Sequence, residues 1–263
     1  MNIYEYINFD KTEKPLDKIV TDGGFCAIFR SIACIGDSLS SGEFESVGSD
    51  GTKYYHDFYE YSWGQFIGRN CGSIVYNFSM GGMTAKEYME QFADRKGYWE
   101  RDKLCQAYII ALGVNDIINQ GQVLGGIEDI CLEDYIKNTK TFAGYYAQII
   151  QRVQLLQPRA KIFLMSIPKR GNEKDGLREA HRNLLNEFTK VFKNTYLIDL
   201  YEYSPIQDVE FEKKFWLGHM TPTGYILMAR MIESYIDYII RKNPEDFNEV
   251  EFIGTDWYYQ KEE

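Results

Sequence analysis

The sequence predicts an α/β fold with three layers, a five-stranded parallel sheet covered by helices on both faces. Three observations carry this expectation. Five short apolar runs recur along the chain, each closed by Gly, Ser, Pro or Asp. Longer amphipathic stretches with helix start and stop signals lie between them. Strand and helix therefore alternate, which implies right-handed crossovers between parallel strands buried on both sides. A flavodoxin-like strand order, 2-1-3-4-5, follows naturally and brings the carboxyl ends of the first three strands together at the topological switch point.

The expected strands are Ser31–Gly36, Ser73–Phe78, Ala107–Leu112, Lys161–Ile167 and Thr195–Leu200. A first helix is expected over Asp57–Asn70, stopped by Cys71-Gly72. Thr84, with Glu87 three residues on, caps a helix over Ala85–Lys96. The longest helix is expected over about Leu132–Gln157, ending before Pro158, and another over Asp175–Lys193. Thr221-Pro222 opens the last, which runs to about Lys242. Glu43–Tyr61 is a polar, aromatic-rich insertion after the first strand, where loops shape specificity. Residues 1–263 read as a single domain, with 1–30 an N-terminal extension and 244–263 a tail outside the alternation. That tail is aromatic and is expected to pack on the body or on a second subunit.

Composition narrows the function classes. The chain has 263 residues, 44% of them hydrophobic, which suits a globular core rather than disorder. The formal net charge of -10 leaves no basic patch for a phosphate backbone, so nucleic acid is excluded as a partner. No stretch has the length of a membrane span and no leader pattern opens the chain, so the expected location is cytoplasmic. Cys26, Cys34, Cys71, Cys105 and Cys131 form no C-x-x-C pair, and an odd count within apolar segments suits reduced, buried thiols. The oligomeric state is not legible.

Four short motifs fall at the ends of expected elements. The first strand stops at Gly36-Asp37-Ser38-Leu39, which presents a hydroxyl at the sheet's carboxyl edge or, alternatively, a serine cap for the next helix. The second ends in Asn77-Phe78-Ser79-Met80-Gly81-Gly82, where glycine lets a backbone N–H approach a ligand or simply makes a tight turn. The third ends in Gly113-Val114-Asn115-Asp116, an amide donor suited to an oxyanion or an Asx turn. Late in the chain comes Gly218-His219-Met220-Thr221-Pro222, with a histidine placed to act as general base or to pack locally. Of the other histidines, His56 sits in an aromatic packing segment and His181 in a charged run that reads as a solvated helix face.

In that order, these motifs resemble the SGNH/GDSL hydrolase superfamily over Ser31 to about Tyr225, most of the chain. The resemblance implies an SGNH-hydrolase type of sheet and a serine esterase that needs no cofactor and no metal. Ser38 would be the nucleophile, and His219 the base. The N–H groups of Ser38 and Gly82, with the Asn115 amide, would form the oxyanion hole, Gly81 being an alternative donor. The partner would be a small acyl ester, read as an acylated carbohydrate from the family and from the aromatics of Tyr54–Trp63. No G-x-S-x-G surrounds Ser38, so the α/β-hydrolase elbow is not matched.

One position departs from the family. Its triad acid stands three residues before the histidine, and Trp216 stands there instead. In serine proteases loss of that carboxylate costs about 10⁴ in rate, roughly 5.5 kcal/mol. Three substitutes are expected, in this order: a backbone carbonyl of Phe215–Leu217, then Asp199 at the end of the fifth strand, then one of Asp208, Glu210 or Glu212. A catalytically impaired binding protein is the competing reading. A flavodoxin is excluded because Glu43 and Glu45 would repel a phosphate.

Overall fold

The structure is a computed structural model and describes residues 3–7, 10–171 and 176–259. Its centre is a five-stranded parallel sheet made of β1 (Ser31–Gly36), β4 (Ile74–Ser79), β5 (Ala107–Ala111), β6 (Lys161–Met165) and β7 (Thr195–Ile198). The order is β4-β1-β5-β6-β7, the arrangement expected. Gly36 pairs with Ser79 on one side and Ala111 on the other, so the turns after β1, β4 and β5 leave the sheet side by side.

Alternation along the strands divides the core in two. Ala33, Ile35, Tyr108, Ile110, Ile162 and Leu164 face the layer made of residues 85–95, α2 (Phe142–Leu156) and α3 (Leu177–Val191). Ile32, Cys34, Ile109, Phe163 and Ile198 face α1 (Trp63–Cys71) and α4 (Pro222–Lys242). Burial on both faces is why the strands read as apolar runs rather than alternating ones. Each of these helices starts where a side chain satisfies an orphan N–H. Ser62 accepts from Gln65 N–H at 3.2 Å, Thr141 from Gly144 at 3.2 Å and Thr221 from Gly224 at 3.2 Å, with α3 the exception.

Several boundaries differ from the sequence reading, each for a local reason. The insertion is an antiparallel hairpin, β2 (Glu43–Val47) with β3 (Lys53–Asp57), so Asp57 ends a strand and α1 waits for its Ser62 cap. The long helix begins only at Phe142. Residues before it are held as a loop, in which Asn138 accepts from Cys131 N–H at 2.8 Å and donates to Gln151 at 2.8 Å. The helix after Thr84 is interrupted by a π-turn over Tyr88–Phe92, which buries both of those rings. The seventh strand ends at Ile198 because Asp199 caps a helical turn, accepting from Glu202 N–H at 3.2 Å. The expected start of the fourth helix, Asp175, lies outside the described residues; the helix runs Leu177–Val191.

His181 is a clear reversal. Its ring is fully buried, tilted 46° against the Phe142 ring and hydrogen-bonded through Nε2 to the Leu112 carbonyl at 3.1 Å. Glu179 lies on the exposed side of α3, whereas Arg178 is buried one turn before His181, and 3.6-residue periodicity turns both inward. All five cysteines are free, four of them buried. The C-terminal segment packs back on the body: Phe247 meets Phe29 at 6.2 Å, and Arg159 donates to the Trp257 carbonyl at 2.9 Å. Among the described residues no helix is long and apolar enough to cross a membrane.

Candidate active site

Asp37 is buried, and its carboxylate caps the short helix Ser38–Ser41 by accepting from Leu39 N–H at 3.0 Å. The capping task thus falls to Asp37, which leaves the Ser38 hydroxyl available. Burial, with Glu43 close by, pushes the Asp37 carboxyl up to about 6 against the opposing pull of the Leu39 N–H.

His219 reaches Ser38 from a different part of the fold. Trp216–Leu217 (β8) and His219–Met220 (β9) form a minimal antiparallel hairpin about Gly218, whose φ of +73° suits glycine. The Thr221 N–H closes this segment on the Phe215 carbonyl at 2.9 Å, and Thr221 then caps α4. His219 Nε2 lies 3.0 Å from Ser38 Oγ. The ring meets Tyr55 edge-on, 5.9 Å between centroids. Burial holds its pKa below the usual imidazole range, opposed by the carboxylates of Glu45 and Asp57.

Three of the expected acids, Asp199, Asp208 and Glu210, are engaged elsewhere. Asp199 pairs with Arg182 Nε at 2.7 Å and accepts from Ser166 Oγ at 3.2 Å, while Asp208 caps its own helix through Phe211 N–H at 2.9 Å. Glu210 pairs with Lys213 at 3.0 Å. Neither does a carbonyl of Phe215–Leu217 take the ring N–H: His219 Nδ1 is buried with no hydrogen-bond partner among the described residues. Trp216 instead lies under the Arg170 guanidinium, 5.2 Å from its ring centre.

A carboxylate does touch the ring, at the other nitrogen. Glu43 Oε1 is 3.2 Å from His219 Nε2. The sequence reading used Glu43 only as a repeller of phosphate and missed this contact. Its signal was position, five residues after Ser38 and directly after Gly42, the left-handed end of the Ser38 helix with φ +81°.

The turn after β4 exposes Gly82, with φ +73° and open space where a side chain would be. Asn115, in the turn after β5, donates to the Met83 carbonyl at 3.2 Å and Asp37 at 3.4 Å, and accepts from Asn119 at 2.8 Å. Its neighbour Asp116 is fully buried and accepts from Ala85 N–H at 2.7 Å, tying the two turns together. Burial pushes the Asp116 carboxyl up to about 7, and the Ala85 N–H opposes it. Ser38, Gly82, Asn115 and His219 all line one cavity of about 440 Å³. That cavity runs along the sheet's carboxyl edge to Pro168, Arg170 and Trp216. A hydroxyl paired with an imidazole, beside an amide and an open glycine turn, is a set suited to nucleophilic acyl transfer.

Comparison with known proteins agrees with this fold. The family model described as GDSL-like Lipase/Acylhydrolase matches residues 32–232. No curated protein matches the chain significantly. Among solved structures, a protein from Lactobacillus plantarum superimposes with a TM-score of 0.60 at 17% identity, over 80% of this chain and 97% of its own. A lipolytic protein of the G-D-S-L family from Desulfitobacterium hafniense gives 0.51 at 17%, over 78% and 99%. A family two carbohydrate esterase from Clostridium thermocellum, solved with cellohexaose, gives 0.53 at 17%, over 89% of this chain and 66% of that one. The match of the family model to most of the chain, from β1 into α4, shows that the protein belongs to the GDSL-like lipase/acylhydrolase family and is a carboxylic ester hydrolase.

Proposed function

We propose that the chain is a serine esterase that releases a small acyl group, with a carbohydrate as the alcohol. The observation that carries this is the 3.0 Å approach of His219 Nε2 to Ser38 Oγ inside the cavity. Ser38 attacks the acyl carbon as His219 takes its proton. The developing oxyanion falls to the Ser38 and Gly82 N–H groups and the Asn115 amide. The imidazolium then protonates the leaving alcohol, and water, activated by the same ring, releases the acid. The carbohydrate assignment is supported by the esterases among the structural relatives and by Tyr55 and Trp216 in the cavity wall.

A fluorophosphonate probe is expected to add to Ser38, and Ser38→Ala to lose all hydrolysis of p-nitrophenyl acetate. A panel of acetylated sugars against simple acyl esters should show higher kcat/KM for the sugars. An unlabelled Ser38 with activity intact in the alanine variant would refute the mechanism. The second reading, an impaired binding protein, draws on the partnerless His219 Nδ1. It would be favoured by tight binding of an acylated sugar without turnover.

A further inference from the structure

The family acid is absent, and His219 Nδ1 meets nothing among the described residues, yet one carboxylate is built against the ring. We infer that Glu43 is the charge partner of His219, acting at Nε2 from the cavity side rather than at Nδ1 from behind, and so replaces the acid that Trp216 displaces. This rests on the reading of Ser38 and His219 as nucleophile and base.

Glu43 is held in place from several directions. Its main-chain carbonyl accepts from the Tyr225 hydroxyl at 2.8 Å, and Tyr225 is fully buried beneath it. Its backbone pairs with Asp57 at the base of the hairpin. Its side chain is only 14% exposed. Gly81 leaves the space it uses, because a Cβ there would overlap the Glu43 carboxylate. A carboxylate with a reserved cleft and a fixed backbone is positioned, not merely nearby.

The proton accounting is straightforward. In acylation the Ser38 O–H bond breaks, the proton moves to Nε2 and Oγ bonds to the acyl carbon. The ring is then an imidazolium beside the Glu43 carboxylate, a neutral pair. When the C–O bond to the alcohol breaks, Nε2–H protonates the departing oxygen and the ring is neutral again. Glu43 supplies no proton in this cycle; it stabilises the charged ring in both transition states.

Other groups face the pair. Glu45, Asp57 and Tyr55 come from the hairpin, Asp37 from the turn after β1 and Tyr225 from α4. Glu45 is neutralised by Lys53 at 2.7 Å, and Asp57 accepts from Ser41 Oγ at 2.7 Å. Burial and the Asp57 charge push the Glu43 carboxyl up.

The test is the rate of fluorophosphonate addition to Ser38 as a function of pH, which needs no knowledge of the substrate. Glu43→Gln keeps the shape and removes the charge. The plateau rate is expected to fall about tenfold, and the acid limb to move about one unit lower, since a lost neighbouring carboxylate lowers the imidazolium pKa. Gly81→Ala approaches the same contact from the other side. Gly81 has no positive φ, so alanine fits the backbone, and the nearest atoms its methyl meets are those of the Glu43 carboxylate. It should reproduce the direction of both changes, and combining it with Glu43→Gln should add little. An unchanged plateau and limb in Glu43→Gln would overturn the inference. Faster labelling would too, showing that the carboxylate withholds Nε2 from Ser38. If the native chain is unlabelled at every pH, the reading of Ser38 itself has failed, a separate and recognisable result.

Discussion

Ser38, Gly82 and Asn115 stand on turns that the parallel sheet sets side by side, whereas His219, Glu43 and Tyr55 stand on two small antiparallel hairpins outside it. The first group is anchored by buried capping interactions, Asp37 to Leu39 N–H and Asp116 to Ala85 N–H. The second hangs on Tyr225, Gly81 and Gly218, and every residue of β3 is exposed. The contrast teaches that the half with Ser38 and Asn115 is placed by the sheet, while the half with His219 is placed by hairpins outside it, beside carboxylates. Two histidines make the same point. His181 and His219 both have burial as the main force on their pKa, but only His219 has acids beside it, and the ring without them is pushed down to about 4.

The comparison can be broken by experiment. The largest effect is expected from His219→Ala, which should lower kcat by about 10²–10⁴ with folding unchanged, as loss of a general base does. Asn115→Ala should cost about 10²–10³ in kcat, the typical loss for one oxyanion donor. If it changes KM alone, the sheet-borne half is not catalytic. For stability, Phe163→Ala in the sheet core should cost about 3–5 kcal/mol in urea unfolding. Tyr55→Ala, on the exposed β3, should stay within about 0.5 kcal/mol. Hydrogen exchange should likewise be fast over β3, every residue of which is exposed, and slow over β1, because exposed ladders open locally.

The last expected effect concerns pH. Asp37 and Asp116 have folded pKa values of about 6 and about 7, above the ordinary carboxylate value of 3.8. A raised carboxyl binds its proton more tightly in the folded state, so its contribution is full below about pH 4 and is lost as pH rises to about 7. The contribution of these two carboxyls should therefore fall between about pH 4 and 7, against the opposite contribution of His181, whose lowered pKa favours the folded state as pH rises through the same window. Asp116→Asn, which keeps an acceptor for Ala85 N–H, should flatten that fall by raising stability at pH 8. A steeper fall in that variant would show that the Asp116 charge is favourable.

Much of the architecture was legible because both of its signals are local. Apolar runs closed by turn residues mark β1, β4, β5, β6 and β7, and Thr221-Pro222 marks the start of α4. Ser38, Gly82 and Asn115 could be singled out for the same reason: they sit at strand ends, and strand ends converge in this topology. The start of α2 was missed because residues 132–141 satisfy their polar groups through Asn138 and Asp129, contacts with no sequence period. His181 was misplaced because its charged neighbours outweighed the helical phase that turns it inward.

By itself, then, the sequence determined the layers, the strand order and the identity of the residues on the sheet's carboxyl edge, since hydrophobic periodicity and turn chemistry are written into neighbouring residues. Only the tertiary structure decided what surrounds His219. Glu43 lies 176 positions before it in the chain, and Gly81, Tyr55 and Tyr225 come from three further elements. Electrostatic partnership depends on distance through space, and packing alone sets that distance.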